Sequence, residues 1–394
     1  PAELEAFGRE LAGMHARLPA APDPQGWGRP QALAAQILGN AVEFSRAAQA
    51  LGDRADPAAL QAALQARLDS RAELLAQRYA CARVRECHGD LHAGNIVRRG
   101  ARLLPFDCLE FDPALRWTDV ADEIAFLLAD LEVRERPLHA VAFLGGYLEE
   151  SGDYQACCLL PLFKGHRALV RAKIAALGAI SAAGAGAGVR RRQSQAYAQG
   201  ARRFLEPPSP PAVVLMCGLS GSGKTWLARR LAPQLHAVQV RSDVERKRVA
   251  GLAAPDRSAA GIEQGLYGRD MTSRVYGRLA QCADHLVSGG YTAIIDATFG
   301  RREDRRRFRE LAARLGVRIR LVYCHAPHKV LGARIAARHQ RADDASEADL
   351  AVLAWQEARF ERPEAGEGIA ILEAADDSEP AVRDLAQRIV RPGA

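Results

Sequence analysis

The chain of 394 residues is 48% hydrophobic and 26% charged, the balance of an ordinary folded protein rather than a disordered or collagen-like one. Its length allows two domains, each with its own core. No run approaches the roughly 18 apolar residues of a membrane-spanning helix.

The net charge is +7, and only Lys164, Lys173, Lys224, Lys247 and Lys329 are lysine. The arginine clusters are expected on a solvated surface, with a nucleic-acid footprint as the less favoured reading. None of the eight cysteines forms a C-x-x-C pair, so reduced, buried thiols are expected rather than zinc ligands or disulfides. The chain starts at Pro1 with neither Met nor a basic-then-apolar leader. The expectation is a cytoplasmic protein that has lost residues from its front.

Residues 1–86 repeat apolar residues at three- and four-residue steps, with Pro and Gly punctuation between the segments. Helices are expected there. Short extended pieces are expected around Ile96–Val97 and Leu103–Phe106, joined by a tight turn at "RRGAR". Residues 118–150 and 154–205 are again helical in pattern. The small-residue stretch "GAISAAGAGAGV" (178–189) reads as a loop or a close helix contact. Within this first part, "CHGDLHAGNIV" sets His88, Asp90 and Asn95 at the spacing of a kinase catalytic loop. In such a loop the Asp accepts the substrate proton and the Asn holds Mg²⁺. A second metal-holding acid should follow a short hairpin, and "LLPFDCLEFDP" supplies Asp107.

"EPPSPPA" (206–212) is a linker, because four prolines in five residues stiffen the chain and stop a helix. Beyond it the rhythm changes to strand–helix alternation, with strands expected at 212–217, 236–241, 291–296, 317–323 and 369–373. Continuous apolar strands alternating with helices imply a parallel sheet covered on both faces. "AVVLMCGLSGSGKTWLARRLA" is strand, phosphate loop and helix in order. Gly218, Ser220, Gly221, Ser222, Gly223, Lys224, Thr225 and Trp226 make up the expected nucleotide-binding set. Glycines let backbone N–H groups turn toward phosphate oxygens, and the helix N-terminus adds partial positive charge. Lys224 is the catalytic cation for the β- and γ-phosphates, and Thr225 is a Mg²⁺ ligand.

After the second strand, Asp243 stands where a general base or a helix N-cap is expected. Asp296 closes the third strand, as a Mg²⁺-orienting acid or again a cap. Arg334, Arg338 and Arg341 share one helical face before an acidic break, which suits a lid that closes on phosphate charge or a solvated arginine face. "GRREDRRRFREL" (300–311) is expected to be a solvated helix with Glu–Arg pairs.

At these residues two resemblances emerge. Residues 213–394 resemble the P-loop kinases that include polynucleotide kinase, gluconate kinase and zeta toxins. The resemblance implies strand order 2-3-1-4-5, Asp243 as general base and Arg246 as substrate-phosphate arginine, with "DATF" at Asp296 departing at Ala297 and Thr298 from the polynucleotide kinase pattern. "HGDLHAGNIV" and "FDCLEFD" together resemble aminoglycoside phosphotransferase-like kinases over residues 1–205. Those kinases also have an N-terminal lobe with a strand lysine and a hairpin over the phosphates. No lysine, glycine-rich loop or strand alternation precedes His88, so only the helical C-lobe is expected here. The whole chain resembles bacterial fusions of the two.

The resulting reading is an α/β chain with domains at 1–205 and 213–394. It is an ATP- and Mg²⁺-dependent kinase acting on a hydroxyl-bearing small molecule. Asp243, Lys224 and Arg338 act in the second domain and Asp90 in the first; Arg246, Arg334 and Arg341 bind substrate; Thr225, Asp296, Asn95 and Asp107 serve metal. A nucleic-acid 5′-hydroxyl kinase and an ATP-driven switch are the alternatives. Single-strand binders interleave aromatics with basic residues, which this chain does not. A pure switch needs no proton acceptor.

Overall fold

The computed structural model describes residues 1–21, 26–53, 57–207, 210–252, 268–341, 349–374 and 378–391, apart from the side chains of residues 269 and 338–341. The chain divides into two compact units, Pro1–Pro208 and Ser209–Ala394.

In the first unit the apolar periodicity forms α1 (Ala2–His15), α2 (Pro30–Ala50) and α3 (Pro57–Ala80). Leu60, Leu64, Leu68 and Leu75 form the buried stripe of α3. Next come β1 (Val84–Glu86), the hairpin β2 (Ile96–Arg99) and β3 (Arg102–Pro105), and β4 (Trp117–Asp119). β1 pairs antiparallel with β4, a pairing too short for periodicity to announce. Helices α4 (Val120–Val133), α5 (Pro137–Ser151), α6 (Leu160–Ser181) and α7 (Ala185–Leu205) complete the unit. α4 is buried on all sides for most of its length, so it forms the centre of the unit. The 178–189 stretch is the α6–α7 turn, where both helices continue almost to each other and Ser194 Oγ donates to Ala172 O.

Helices α1 and α5 touch backbone to backbone through glycine. A Cβ on Gly8 would sit 2.3 Å from Phe143 O, and one on Gly146 2.1 Å from Glu5 O. No other residue fits at either point.

Two isolated arginines of this unit are buried. Arg78 is fully buried and bonds Asp119 at 2.7 and 2.8 Å and Asp153 at 2.8 Å. Arg167 holds Asp122 through two bonds of 2.9 and 2.8 Å. A guanidinium can be buried when its planar donors all meet acceptors.

The second unit is an α/β fold. β5 (Ala212–Cys217) leads to α8 (Lys224–Gln234), then β6 (Ala237–Arg241) and α9 (Ser242–Val249). α10 (Arg269–Ser288), β7 (Thr292–Asp296), α11 (Arg302–Leu315) and β8 (Arg318–Cys324) follow. The last elements are α12 (His328–Arg341), α13 (Leu350–Glu357), β9 (Ala370–Ala374) and α14 (Glu379–Val390). All strand pairs are parallel, in the order β6-β7-β5-β8-β9. This is the order 2-3-1-4-5 that the resemblance implied.

Val214, Met216, Ile294, Val322 and Leu372 pack on Leu227, Leu231, Leu385 and Ile389 of α8 and α14. α10 and α11 lie against strands β5, β7 and β8. α11 corrects the expectation of a solvated helix: Arg305 is fully buried, with Glu367 accepting two bonds of 2.6 Å. The Arg306–Glu310 pair on the same helix is exposed, as expected.

Candidate active site

The phosphate loop is the turn between a fully buried strand and a helix. Gly218, Gly221 and Gly223 all have left-handed φ, at +143°, +82° and +93°. A Cβ at Gly218 would lie 2.1 Å from Cys324 O, so this position needs glycine for space as well as conformation. The loop is closed over itself. Lys224 Nζ donates to Leu219 O at 2.8 Å and lies 3.4 Å from the Ser222 hydroxyl. These carbonyl and hydroxyl oxygens hold the ammonium where phosphate oxygens would compete for it.

Strand β7 brings a carboxylate, Asp296, to the loop, and β6 an amide, Gln239. Thr225 Oγ1, one residue past Lys224, donates to Asp296 Oδ2 at 2.6 Å. Gln239 Nε2 donates to the same oxygen at 2.9 Å. Asp296 is buried, and burial pushes its carboxyl upward while Lys224 and the Thr225 bond pull it down. This hydroxyl–carboxylate pair beside the phosphate loop is the donor set a hard cation such as Mg²⁺ takes.

Asp243 lies at the second residue of α9, and its charge is felt at Asp296. It is not the cap of that helix: Arg241 holds the N-cap position and no side chain caps it. Asp296 ends β7 rather than capping a helix. Arg246 follows on the same short helix as Asp243.

The other flank of the loop is a cleft of about 640 Å³ lined by Ser222, Gly223, Trp226, His325, Val330 and Arg334 among others. Trp226 is 39% exposed, and the Arg230 guanidinium lies 4.0 Å from its ring centroid. Arg334 lies 3.5 Å from Gly221 O. Arg338 and Arg341 belong to the same helix, α12, but their side chains fall outside the described residues, as do residues 342–348 of the acidic break.

Sequence reasoning missed two side chains here. Gln239 sits mid-strand in "AVQV", and that one polar residue among apolar neighbours was its signal. Gln356 of α13 accepts from Ser220 N–H at 3.0 Å, and nothing in the sequence marks it.

In the first unit the kinase-type loop is also assembled. Asn95 Nδ2 donates to Asp90 Oδ2 at 3.0 Å and to Asp90 O at 3.1 Å. His88 Nε2 donates to Phe106 O at 2.9 Å, and Phe106 N–H to Asn95 O at 3.0 Å. These bonds tie the loop to the hairpin that ends in Asp107, whose φ is +63°. Glu123, fully buried on α4, accepts from His88 N–H at 2.9 Å and Gly89 N–H at 3.1 Å. Burial pushes Glu123 up to about 7, against the pull of Arg167 and these N–H groups. For Asp90 burial raises the carboxyl, but the His92 contact and the charges of His92 and Arg171 leave it lowered overall.

Comparison with known proteins places both units. Residues 1–160 match the model of the phosphotransferase enzyme family, and residues 213–363 match that of an AAA domain. An uncharacterized protein of Mycobacterium tuberculosis is 30% identical over 298 residues, which is 74% of this chain and 57% of that protein. A counterpart in Mycobacterium bovis matches to the same extent. The chain thus spans just over half the length of these curated relatives. Among solved structures, the APS kinase of M. tuberculosis aligns at 19% identity and TM-score 0.34, covering 47% of this chain and 97% of that one. A gluconokinase from Sinorhizobium meliloti aligns at 18% and 0.29, covering 46% and 97%.

Proposed function

We infer that this chain, in which a domain of the phosphotransferase enzyme family precedes a P-loop kinase domain, transfers the γ-phosphate of ATP to a hydroxyl of a small molecule. The transfer is assigned to the second unit. The observation that carries this reading is the Thr225–Asp296 bond of 2.6 Å at the end of a glycine-lined phosphate loop, with Asp243 beside it.

Thr225 and Asp296 would hold Mg²⁺, which supplies charge neutralisation on the phosphates when bound. The chain's own residues do the rest. Backbone N–H groups of 218–225 and the α8 N-terminus orient the phosphates. Lys224 exchanges Leu219 O for phosphate oxygens. Arg334, with Arg338 and Arg341 on the same helix, meets charge on the transferring group. Asp243 takes the proton of the acceptor hydroxyl as the acceptor oxygen bonds to the γ-phosphorus and the bond from that phosphorus to the bridging oxygen breaks, releasing ADP, and Arg246 positions the acceptor. Most of the rate gain in such a transfer is positioning and electrostatics.

The experiment is labelled ATP against a panel of sugars, nucleosides, nucleotide sugars and 5′-hydroxyl oligonucleotides. Label in a small-molecule hydroxyl, dependent on Lys224, supports the reading. Label only in oligonucleotides moves the assignment to a nucleic-acid kinase, and label only in free phosphate moves it to a switch.

A further inference from the structure

The phosphate loop is held by α13 as well as by its own strand and helix. Gly218 N–H donates to Thr298 O at 3.1 Å and Ser222 N–H to Leu219 O at 3.2 Å, both main-chain partners. Ser220 N–H goes instead to a side chain, Gln356 Oε1, at 3.0 Å across 136 residues of sequence. The helix that carries Gln356 is itself tied down. Leu353 of α13 packs with Leu331 and Ile335 of α12, and Leu219 of the loop lies against this cluster. His328 Nδ1 lies 2.7 Å from Glu357 Oε1, and just past the helix Glu361 N–H donates to Gly300 O at 2.8 Å.

Leu219 C=O and Ser220 N–H are the two edges of one peptide group. The group is planar and trans, so they point opposite ways. Lys224 Nζ holds the first edge at 2.8 Å and Gln356 the second. Gln356 is therefore on the far side of this peptide from the ammonium, and acts on it through the peptide. It does so in two ways. The bond stops the peptide from turning about its flanking single bonds, a turn that would take Leu219 O away from Lys224. Donation from the N–H also polarises the group and makes Leu219 O a stronger acceptor.

We propose that Gln356 is a positioning residue of the phosphate loop: through the Leu219–Ser220 peptide it keeps the Lys224 ammonium where the β- and γ-phosphates arrive. The proposal rests on the reading of the second unit as an ATP site. Such preplacement lowers the reorganisation that phosphate binding would otherwise need. The rival is that Gln356 only fastens α13 to the loop. Its loss would then loosen the wall of the cleft and weaken every adenine nucleotide alike.

The test is a phosphate series. AMP, ADP and AMPPNP are titrated with Mg²⁺ into the full chain, wild type and Gln356→Leu, by calorimetry. Only the phosphates that Lys224 meets should register the change. AMPPNP affinity should fall roughly five- to tenfold in Gln356→Leu, the scale of one hydrogen bond. ADP affinity should fall by less, and AMP affinity should stay as it is. Equal losses for all three nucleotides, or undiminished AMPPNP affinity, overturn the proposal. Lys224→Met separates this failure from a failure of the underlying reading. If wild type binds AMPPNP no tighter than AMP, or if Lys224→Met keeps that gain, the ATP site itself is refuted and the role of Gln356 with it. If Gln356→Leu loses its folded circular dichroism spectrum, Gln356→Met, which keeps the length of the side chain, decides on the same criterion.

Discussion

Thr225 Oγ1 donates to Asp296 Oδ2 at 2.6 Å across 71 residues of sequence. Parallel pairing of β5 and β7 aligns Met216 with Asp296, so the acid ends its strand beside the start of the phosphate loop. Gln239, from the next strand out, donates to the same carboxylate oxygen. Asp296 is therefore oriented from two sides before any ligand arrives.

The first prediction concerns that orientation. Asp296→Asn keeps an oxygen that can accept both bonds, so the fold should survive. Lost charge should weaken Mg²⁺-dependent ATP binding by roughly 10–100-fold, the usual scale for perturbing a metal's partners. ATP binding without Mg²⁺ should change much less. Calorimetry with and without Mg²⁺ checks both, and an unchanged Mg²⁺ effect would remove Asp296 from the site.

A second prediction concerns stability of the first unit. Arg78→Met leaves Asp119 and Asp153 facing each other in the core without their cation. The cost should be about 3–5 kcal/mol, the scale for breaking a buried ion pair from one side. Adding Asp153→Asn to Arg78→Met should recover part of the loss, because one uncompensated charge is gone. Urea unfolding of the two variants checks the order. A single variant within experimental error of wild type would mean that the cluster contributes no net stability.

Glu123 gives a pH dependence with a definite sign. The unfolded chain releases this proton near 4.5 and the folded chain near 7. Between those values the folded state holds the extra proton, so this group's contribution to stability falls as pH rises. The full loss is on the order of 3 kcal/mol. Glu123→Gln cannot titrate and should flatten that part of the curve. The difference between variant and wild-type stability, measured from pH 4.5 to 7.5, isolates it from His15, which burial depresses to about 3 and whose effect runs the other way. A pH-independent difference would contradict the assignment.

How much of this was legible depended on how local the signal is. The strands of the second unit are continuous apolar runs, and all five came within a residue or so of their observed ends. The glycine loop announced itself because its conformation demands specific residues at fixed spacing. β1 and β4 are three residues each and exist only through their pairing, so no period could show them. The burial of Arg78, Arg167 and Arg305 could not be read from sequence because a buried arginine differs from an exposed one only in its partners, which lie 41, 45 and 62 residues away. Gln356 was invisible for the same reason. Asp243 could be read as base or cap until the helix start was located at Ser242.

The most direct test of the proposed transfer is a pair of numbers from Asp243→Asn: ATP affinity and the rate of label transfer to the acceptor found by the panel, at saturating ATP. The helix does not use Asp243 as its cap, so the amide should leave fold and ATP binding intact. Transfer should fall by roughly 10²–10⁴-fold, the scale of positioned proton transfer. A rate within a few-fold of wild type, with ATP affinity unchanged, would contradict the account and leave the acceptor's proton without Asp243 as its base.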